Sequence, residues 1–300
     1  MTFLRGNLHT HTSATDGDSP VEEVVDWYAE HGYDFLSITD HNVRVPTRSL
    51  QRRLRRRGSR MILIPGEELT TWWKPGDKTY ALHVNGWGTS RSLGGADGES
   101  AVAVLQGSID RVVADGGIAS LNHPNFWESV TYEDMAALPR LTHFELYNGH
   151  PLTFSLGTDR LPSMESIWDR LLSAGRRVYG VAVDDTHYLR RWGPEVSNPG
   201  RGWVGVEVES DRVRPAELLA SLRAGRFYAS SGPEVRAVST SAGRLEVEAA
   251  EEGEFVVVVN GDEAAQYEGS RLSYPLPADG YARVRFRSER GIAWTQPAFT

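Results

Sequence analysis

The sequence predicts an α/β architecture, with a parallel sheet that is open or closed into a barrel, followed by a small antiparallel β module. Three observations carry this. Over the first three-quarters of the chain, short apolar runs ending in polar or charged residues alternate with amphipathic helical patterns, as buried parallel strands with crossover helices do. Beyond Ser231-Gly232-Pro233 the helical patterns stop, and short strands separated by Gly, Asp and Pro turns take over. The 300 residues are 40% hydrophobic and 10% aromatic, enough for a packed core, which excludes global disorder.

In chain order, strands are predicted at residues 3–9, 33–39, 60–65, 80–87, 117–122, 142–147, 177–183 and 203–209. Helices are predicted at 20–31, 47–58, 99–115, 132–138, 162–175 and 215–224. The first helix shows the signals used. Ser19 offers an N-cap, Pro20 suits the first position, Glu22 and Glu23 suit the positive end, and Gly32 closes it. The run Arg52-Arg53-Leu54-Arg55-Arg56-Arg57 falls near a helix C-terminus, where a solvated basic face complements the dipole. Strands at 244–249, 254–260 and 282–288 complete the chain. The division is residues 1–232 and 233–300, the second part serving as a buttress or an oligomerisation surface, with carbohydrate-like binding as the weaker option.

Composition removes whole classes of function. With no cysteine, a disulfide framework, a thiolate zinc site, an iron–sulfur cluster and a cysteine nucleophile are excluded, so any metal must be held by His, Asp and Glu. The formal charge of −8 argues against a general nucleic-acid or anionic-membrane binder. No apolar run approaches the roughly 18 residues of a membrane span, and the start lacks the basic and apolar regions of a signal peptide. A cytoplasmic location is expected. The sequence holds no Gly-x-Ser-x-Gly elbow, no GxGxxG fingerprint and no Walker loop. Its two lysines, Lys74 and Lys78, against 30 arginines read as base-composition bias.

Chemistry concentrates where the strands end. In parallel α/β folds the loops after those ends share one face. There the sequence places His9-Thr10-His11, Thr39-Asp40-His41, Gly66-Glu67-Glu68, Leu82-His83-Val84, Asn122-His123-Pro124, Glu145-Leu146-Tyr147 and Asp184-Asp185-Thr186-His187. A strand ending in His-x-His presents both imidazoles on one side, because side-chain direction has period two, and such a pair can chelate one ion. Asp185 and His187 repeat that spacing. His31 reads as a surface cap, and His143 and His150 as structural or supporting residues. Asp40 and Asp184 are expected to orient ligand histidines. Lys74, beside Trp72 and Trp73, and Arg190 and Arg191 are the candidate substrate-binding cations.

The segments His9-Thr-His11-Thr-Ser-Ala-Thr-Asp16-Gly17, Ile38-Thr-Asp40-His41-Asn42, Pro65-Gly-Glu-Glu68, Asn122-His123-Pro124 and Asp185-Thr-His187 together resemble the PHP (polymerase and histidinol phosphatase) superfamily. Leu222-Arg-Ala-Gly-Arg-Phe-Tyr-Ala-Ser-Ser-Gly232-Pro233 and Ala293-Trp294-Thr resemble its carbaryl-hydrolase-like CehA/McbA branch. The resemblance implies a distorted (β/α)7 barrel with two or three divalent ions, zinc, manganese or iron, at the strand C-termini. It implies one ion on His9, His11, Glu68 and Asp185, and a second on Glu68, His83 and His123. A third would lie between Asp16, His41 and His187. Asp16 could instead stabilise the Asp-Gly turn, which would leave two ions.

The implied activity is metal-dependent hydrolysis, foremost of a small phosphate ester by a hydroxide bridging the ions, with Glu68, Asp185 and His187 as catalytic residues. Carbamate or aryl-ester hydrolysis on the same site is the alternative, and a non-catalytic metal- or phosphate-binding module the alternative of another class. The expected partner is a small anionic molecule, with no nucleic acid and no membrane; a homo-oligomer is compatible with all of this.

Overall fold

A computed structural model describes residues 2–210 and 212–300. Strands β1 (Thr2–Asn7), β2 (Phe35–Ile38), β3 (Ile62–Trp73), β4 (Tyr80–Trp87), β5 (Ile118–Leu121), β6 (His143–Asn148), β7 (Tyr179–Val183) and β8 (Trp203–Val208) all arise where apolar runs predict them. So do helices α1 (Val21–Glu30), α2 (Thr47–Arg56), α3 (Ala101–Ala114), α4 (Tyr132–Ala136), α5 (Met164–Ser173) and α6 (Pro215–Arg223). Pro20 itself occupies the α1 cap, and the Ser19 hydroxyl donates to Asp18 rather than capping. Gly32, at φ +77°, ends the helix as expected.

The sheet is mixed rather than parallel. β1–β2, β2–β3, β5–β6 and β6–β7 pair parallel, but β4 runs antiparallel to both β3 and β5. No helix separates β3 from β4. They form one long hairpin, which needs no crossover and lets β3 continue through Glu67 and Glu68 to Trp73. Those carboxylates therefore lie in mid-strand, not at a strand end, and His83 lies in the middle of β4. At the far end of the row β7 returns to β1. Thr186 bridges Thr10 in parallel, Asp185 N–H donates to His9 O at 3.1 Å, and His11 N–H donates to Thr186 O at 2.8 Å.

Period-two alternation sorts the strand residues into two layers. Leu36 and Leu63 pack with Val24, Tyr28 and Leu54 of α1 and α2. Their neighbours Phe35 and Ile64 pack with Leu8, Trp87, Ile118, Val181 and Val204 from the other strands. At Gly6 of β1 an added Cβ would fall 2.2 Å from the Phe35 ring, so only glycine lets that ring lie flat on the strand.

Beyond α6 come β9 (Phe227–Ser230), β10 (Val235–Ser241), β11 (Arg244–Val259), β12 (Asp262–Pro275), β13 (Tyr281–Ser288), β14 (Gly291–Thr295) and β15 (Ala298–Phe299). All are antiparallel, and no helix follows α6 among the described residues. The strands expected at 244–249 and 254–260 merge into the single β11. β9 pairs β8 on one side and β14 on the other, so one sheet runs from β7 to β10. Buried Arg283 fastens β13 to α5, with 2.6 Å to Asp169 and 2.8 Å to Glu165. No helix among the described residues is long and apolar enough to cross a membrane.

Candidate metal centre

The segments after β1, β2, β5 and β7 bring their polar residues against the β3–β4 hairpin. His9 and His11 follow β1, and their Nε2 atoms lie 3.0 Å apart. Glu68 of β3 reaches four imidazoles besides that of His9. Its Oε2 lies 3.2 Å from His11 Nε2 and 2.9 Å from His41 Nδ1, and its Oε1 2.9 Å from His83 Nδ1 and 3.4 Å from His123 Nε2. Asp185 Oδ1 lies 3.3 Å from His9 Nε2 and 3.2 Å from His11 Nε2. Asp16 Oδ2 lies 3.2 Å from His41 Nε2 and 3.4 Å from His187 Nε2. All nine expected ligands therefore meet in one cluster, buried except at Asp16, His41 and His187.

Three overlapping groups bring ligand atoms within 4.8 Å of one another: His9, His11 and Asp185; His41, Glu68 and His83; and His11, Asp16, His41 and His187. The first is the expected first set, with Glu68 beside it. The second takes His41 in place of His123, and the third adds His11 to the expected trio.

A test of whether a cation fits comes from hydrogen bonding. Glu68 Oε2 and Asp185 Oδ1 are buried and have no hydrogen-bond partner, as are His11 Nδ1, His83 Nε2 and His123 Nδ1. Buried carboxylate oxygens without donors are costly, and a divalent ion between Nε2 and carboxylate oxygens would satisfy them. An all-nitrogen and oxygen donor set suits zinc, manganese or iron. The residues fit the group.

Electrostatics in the metal-free chain are tightly coupled. Burial pushes the Glu68 carboxyl up, but His41, His83, His9 and His11 outweigh it and hold it well below the usual carboxylate range. Asp185 behaves alike: burial raises it, and His9, His11 and His187 hold it well below its ordinary value. Burial lowers His41, yet Glu68 and Asp16 raise it to about 10. His83 goes the other way, down to about 4, because burial dominates and His123 and His41 add repulsion.

Glu145 and Asn122, named at strand ends by the sequence but given no role there, support the cluster. Glu145 on β6 is wholly buried. It accepts from His9 Nδ1 at 2.6 Å, from His123 N–H at 2.8 Å and from Asn148 Nδ2 at 2.8 Å. It thereby fixes the His9 tautomer with Nε2 open toward the cluster. Asn122 Nδ2 donates to Glu68 Oε1 at 2.8 Å. The orienting role expected of Asp40 and Asp184 falls to Glu145 instead. Asp40 accepts from Thr12 and Thr15 to hold the loop after β1, and Asp184 accepts from Tyr28 and the Arg201 and Gly202 amides. Glu67 turns away and accepts from Leu93 and Gly94 amides. His123 and Asp185 adopt left-handed φ of +23° and +52°, strain of the kind concentrated at functional sites.

The remaining histidines divide as the sequence suggests. His31 Nδ1 donates to Trp27 O at 2.6 Å. His143 is satisfied at both nitrogens, by Leu222 O and Thr142 Oγ1 at 3.0 Å each. His150 is half-buried, its ring 5.8 Å from that of His187. The expected cations are not drawn into the cluster. Arg190 pairs with Glu23 of α1 at 3.2 Å, both side chains exposed. Lys74 and Arg191 stand exposed.

No family model matches the chain. Over 80 residues, 27% of this chain, it is 32% identical to the 5′-3′ exoribonuclease Rnm of Salmonella typhimurium and to that of Escherichia coli; the match spans 26% of those proteins. Over 99% of its length it superimposes on 95% of a two-domain protein from Bacteroides vulgatus that contains a predicted PHP-like metal-dependent phosphoesterase, with a TM-score of 0.53 and 14% identity. The chain therefore has a mixed α/β fold built on a large sheet, shared with that two-domain protein.

Proposed function

We propose that this protein is a metal-dependent hydrolase of the PHP superfamily, in its CehA/McbA-like branch, acting foremost on a small phosphate ester. The observation that carries the reading is the meeting of six histidines with Asp16, Glu68 and Asp185, two of whose buried carboxylate oxygens lack any hydrogen-bond donor. The return of β7 to β1 supports the distorted (β/α)7 barrel, with residues 233–300 as its β module. His9, His11, Glu68 and Asp185 would hold one ion, Glu68 and His83 with His41 or His123 a second, and Asp16, His41 and His187 a third. When bound, such ions act as Lewis acids on a phosphoryl oxygen and bring the pKa of water from about 15.7 towards about 7.

The chain's own part is positioning. Glu145 presents His9 through Nε2, and Asn122 steadies Glu68. The His187 Nδ1 hydrogen bond to Asp185 O at 2.8 Å aims Nε2 into the cluster, where it ligates or, with two ions bound, hands a proton to the departing oxygen. Lys74 and Arg191 meet the anionic substrate as it enters. Loading the chain with zinc, manganese or iron and comparing p-nitrophenyl phosphate, bis(p-nitrophenyl) phosphate and an aryl carbamate tests this. Phosphate-ester turnover is expected; turnover of the carbamate alone would overturn it.

A further inference from the structure

The apolar surface of this protein is unevenly placed. Every exposed large apolar side chain among the described residues, apart from Val113 and Tyr267, lies on or beyond the C-terminal ends of β2, β3, β5, β6 and β7, the ends that carry the histidine cluster. Exposed apolar side chains collected on one face mark a binding surface.

At its centre stand two tryptophans. Trp72 is 48% exposed and Trp127 54%, with ring centroids 5.6 Å apart and planes at 45°. Both are joined to candidate ligands. The Trp72 ring meets His83 edge-on at 5.6 Å. Trp127 stacks on Phe126 at 5.1 Å, and Phe126 meets His123 at 5.2 Å.

The loop holding Trp127 is built stiff. Asn125 Nδ2 donates to the carbonyls of Phe154 and Pro162, at 3.1 and 2.9 Å. Val130 N–H donates to Pro124 O at 3.1 Å. Trp127 and Glu128 each adopt φ +53°, a conformation unfavourable for a bulky residue and kept only when surroundings over-determine it. Trp127 is exposed despite its bulk.

We infer that Trp72 and Trp127 form a stacking subsite for a planar aromatic group, a nucleobase or an aryl ring, carried by the molecule whose ester the cluster hydrolyses. The inference rests on the hydrolase reading and adds the substrate's chemical class. Indole faces attract flat π systems, and both rings stand beside candidate ligands, Trp72 at His83 and Trp127 through Phe126 at His123.

The test uses the manganese-loaded chain. Calorimetric titration with phenyl phosphate, adenosine 5′-monophosphate and inorganic phosphate is paired with quenching of indole emission by the neutral rings 1-naphthol and adenosine. In Trp72→Ala and Trp127→Ala the ring-bearing phosphates should bind about tenfold or more weakly, with inorganic phosphate within about twofold of wild type. Neutral-ring quenching should fall, and Trp127→Phe should retain most ring affinity. A larger loss for the nucleotide identifies a nucleobase, and for phenyl phosphate an aryl ring. Unchanged binding of ring-bearing ligands in both alanine variants would overturn the inference. Should phosphates neither bind nor turn over, the phosphoesterase reading fails, and the neutral-ring arm alone decides the subsite.

Discussion

Replacing Glu145 by glutamine separates metal-holding geometry from mere packing. The carboxylate is wholly buried and accepts three hydrogen bonds, from His9 Nδ1, His123 N–H and Asn148 Nδ2, at 2.6–2.8 Å. Glutamine has one acceptor and one donor end. If its oxygen faces His9, its NH2 confronts the two donors from His123 and Asn148. If it flips, NH2 faces His9 Nδ1, which forces the proton onto Nε2 and removes the lone pair that would bind the ion. Either way at least one charge-assisted hydrogen bond is lost, worth about 1.5–3 kcal/mol. Metal affinity should fall roughly 10- to 100-fold, as when other residues that brace metal-bound histidines are lost. Competition of the apoprotein against a calibrated chelator measures it, alongside thermal melting of the metal-free form. Affinity within about twofold of wild type would refute the assignment of Glu145, whatever the melting shows.

Three further expectations follow from the same geometry. His143, buried and satisfied as the neutral ring, is pushed by burial down to about 4, so the unfolded chain takes up its proton first as pH falls below about 6.5. Its stabilising contribution is full above that value and declines towards pH 4, by about 3 kcal/mol, and His143→Gln should flatten this acid limb in urea melts; an identical limb would argue against it. Arg283→Ala leaves Asp169 and Glu165 of α5 facing a cavity and should cost about 3–5 kcal/mol in chemical denaturation, whereas a loss below about 1 kcal/mol would mean α5 is not fastened through this pair. In the metal-free chain burial lowers His9, His11, His41 and His123, but neighbouring carboxylates outweigh it and raise all four, so ligation must displace protons. Calorimetric metal-binding heats should therefore vary with the ionisation enthalpy of the buffer near pH 7; heats independent of buffer would contradict this.

What the sequence makes legible is local. His9 and His11 announce themselves by spacing, and Trp203–Val208 by its valine-rich run, because each signal sits within a few residues. Glu145 is marked as a strand-end residue but its role is not, since its partner His9 is 136 residues away and only the sheet joins them. The β3–β4 hairpin is obscured for a different reason. Glu67, Glu68 and Thr70 are polar where a buried strand is expected to be apolar, so the sequence pattern ends the strand at Pro65. In fact the strand runs on to Trp73 with both carboxylates inside it. β12 escapes because its side chains are mostly exposed, with β11 as its strand partner, so no apolar alternation marks it. The segment from Leu222 to Pro233, which carries the branch resemblance, becomes the end of α6 and buried β9. There it stitches β8 to β14 and lies outside the cluster, so it speaks for the fold and not for the chemistry.

The central claim is that the nine clustered side chains hold metal. Elemental analysis of the purified chain, paired with anomalous density at the cluster, tests it most directly. Two or three divalent ions per chain, bounded by Glu68 and lost in Glu68→Ala, are predicted. A chain that purifies metal-free, and remains so after dialysis against zinc, manganese and iron, would contradict it.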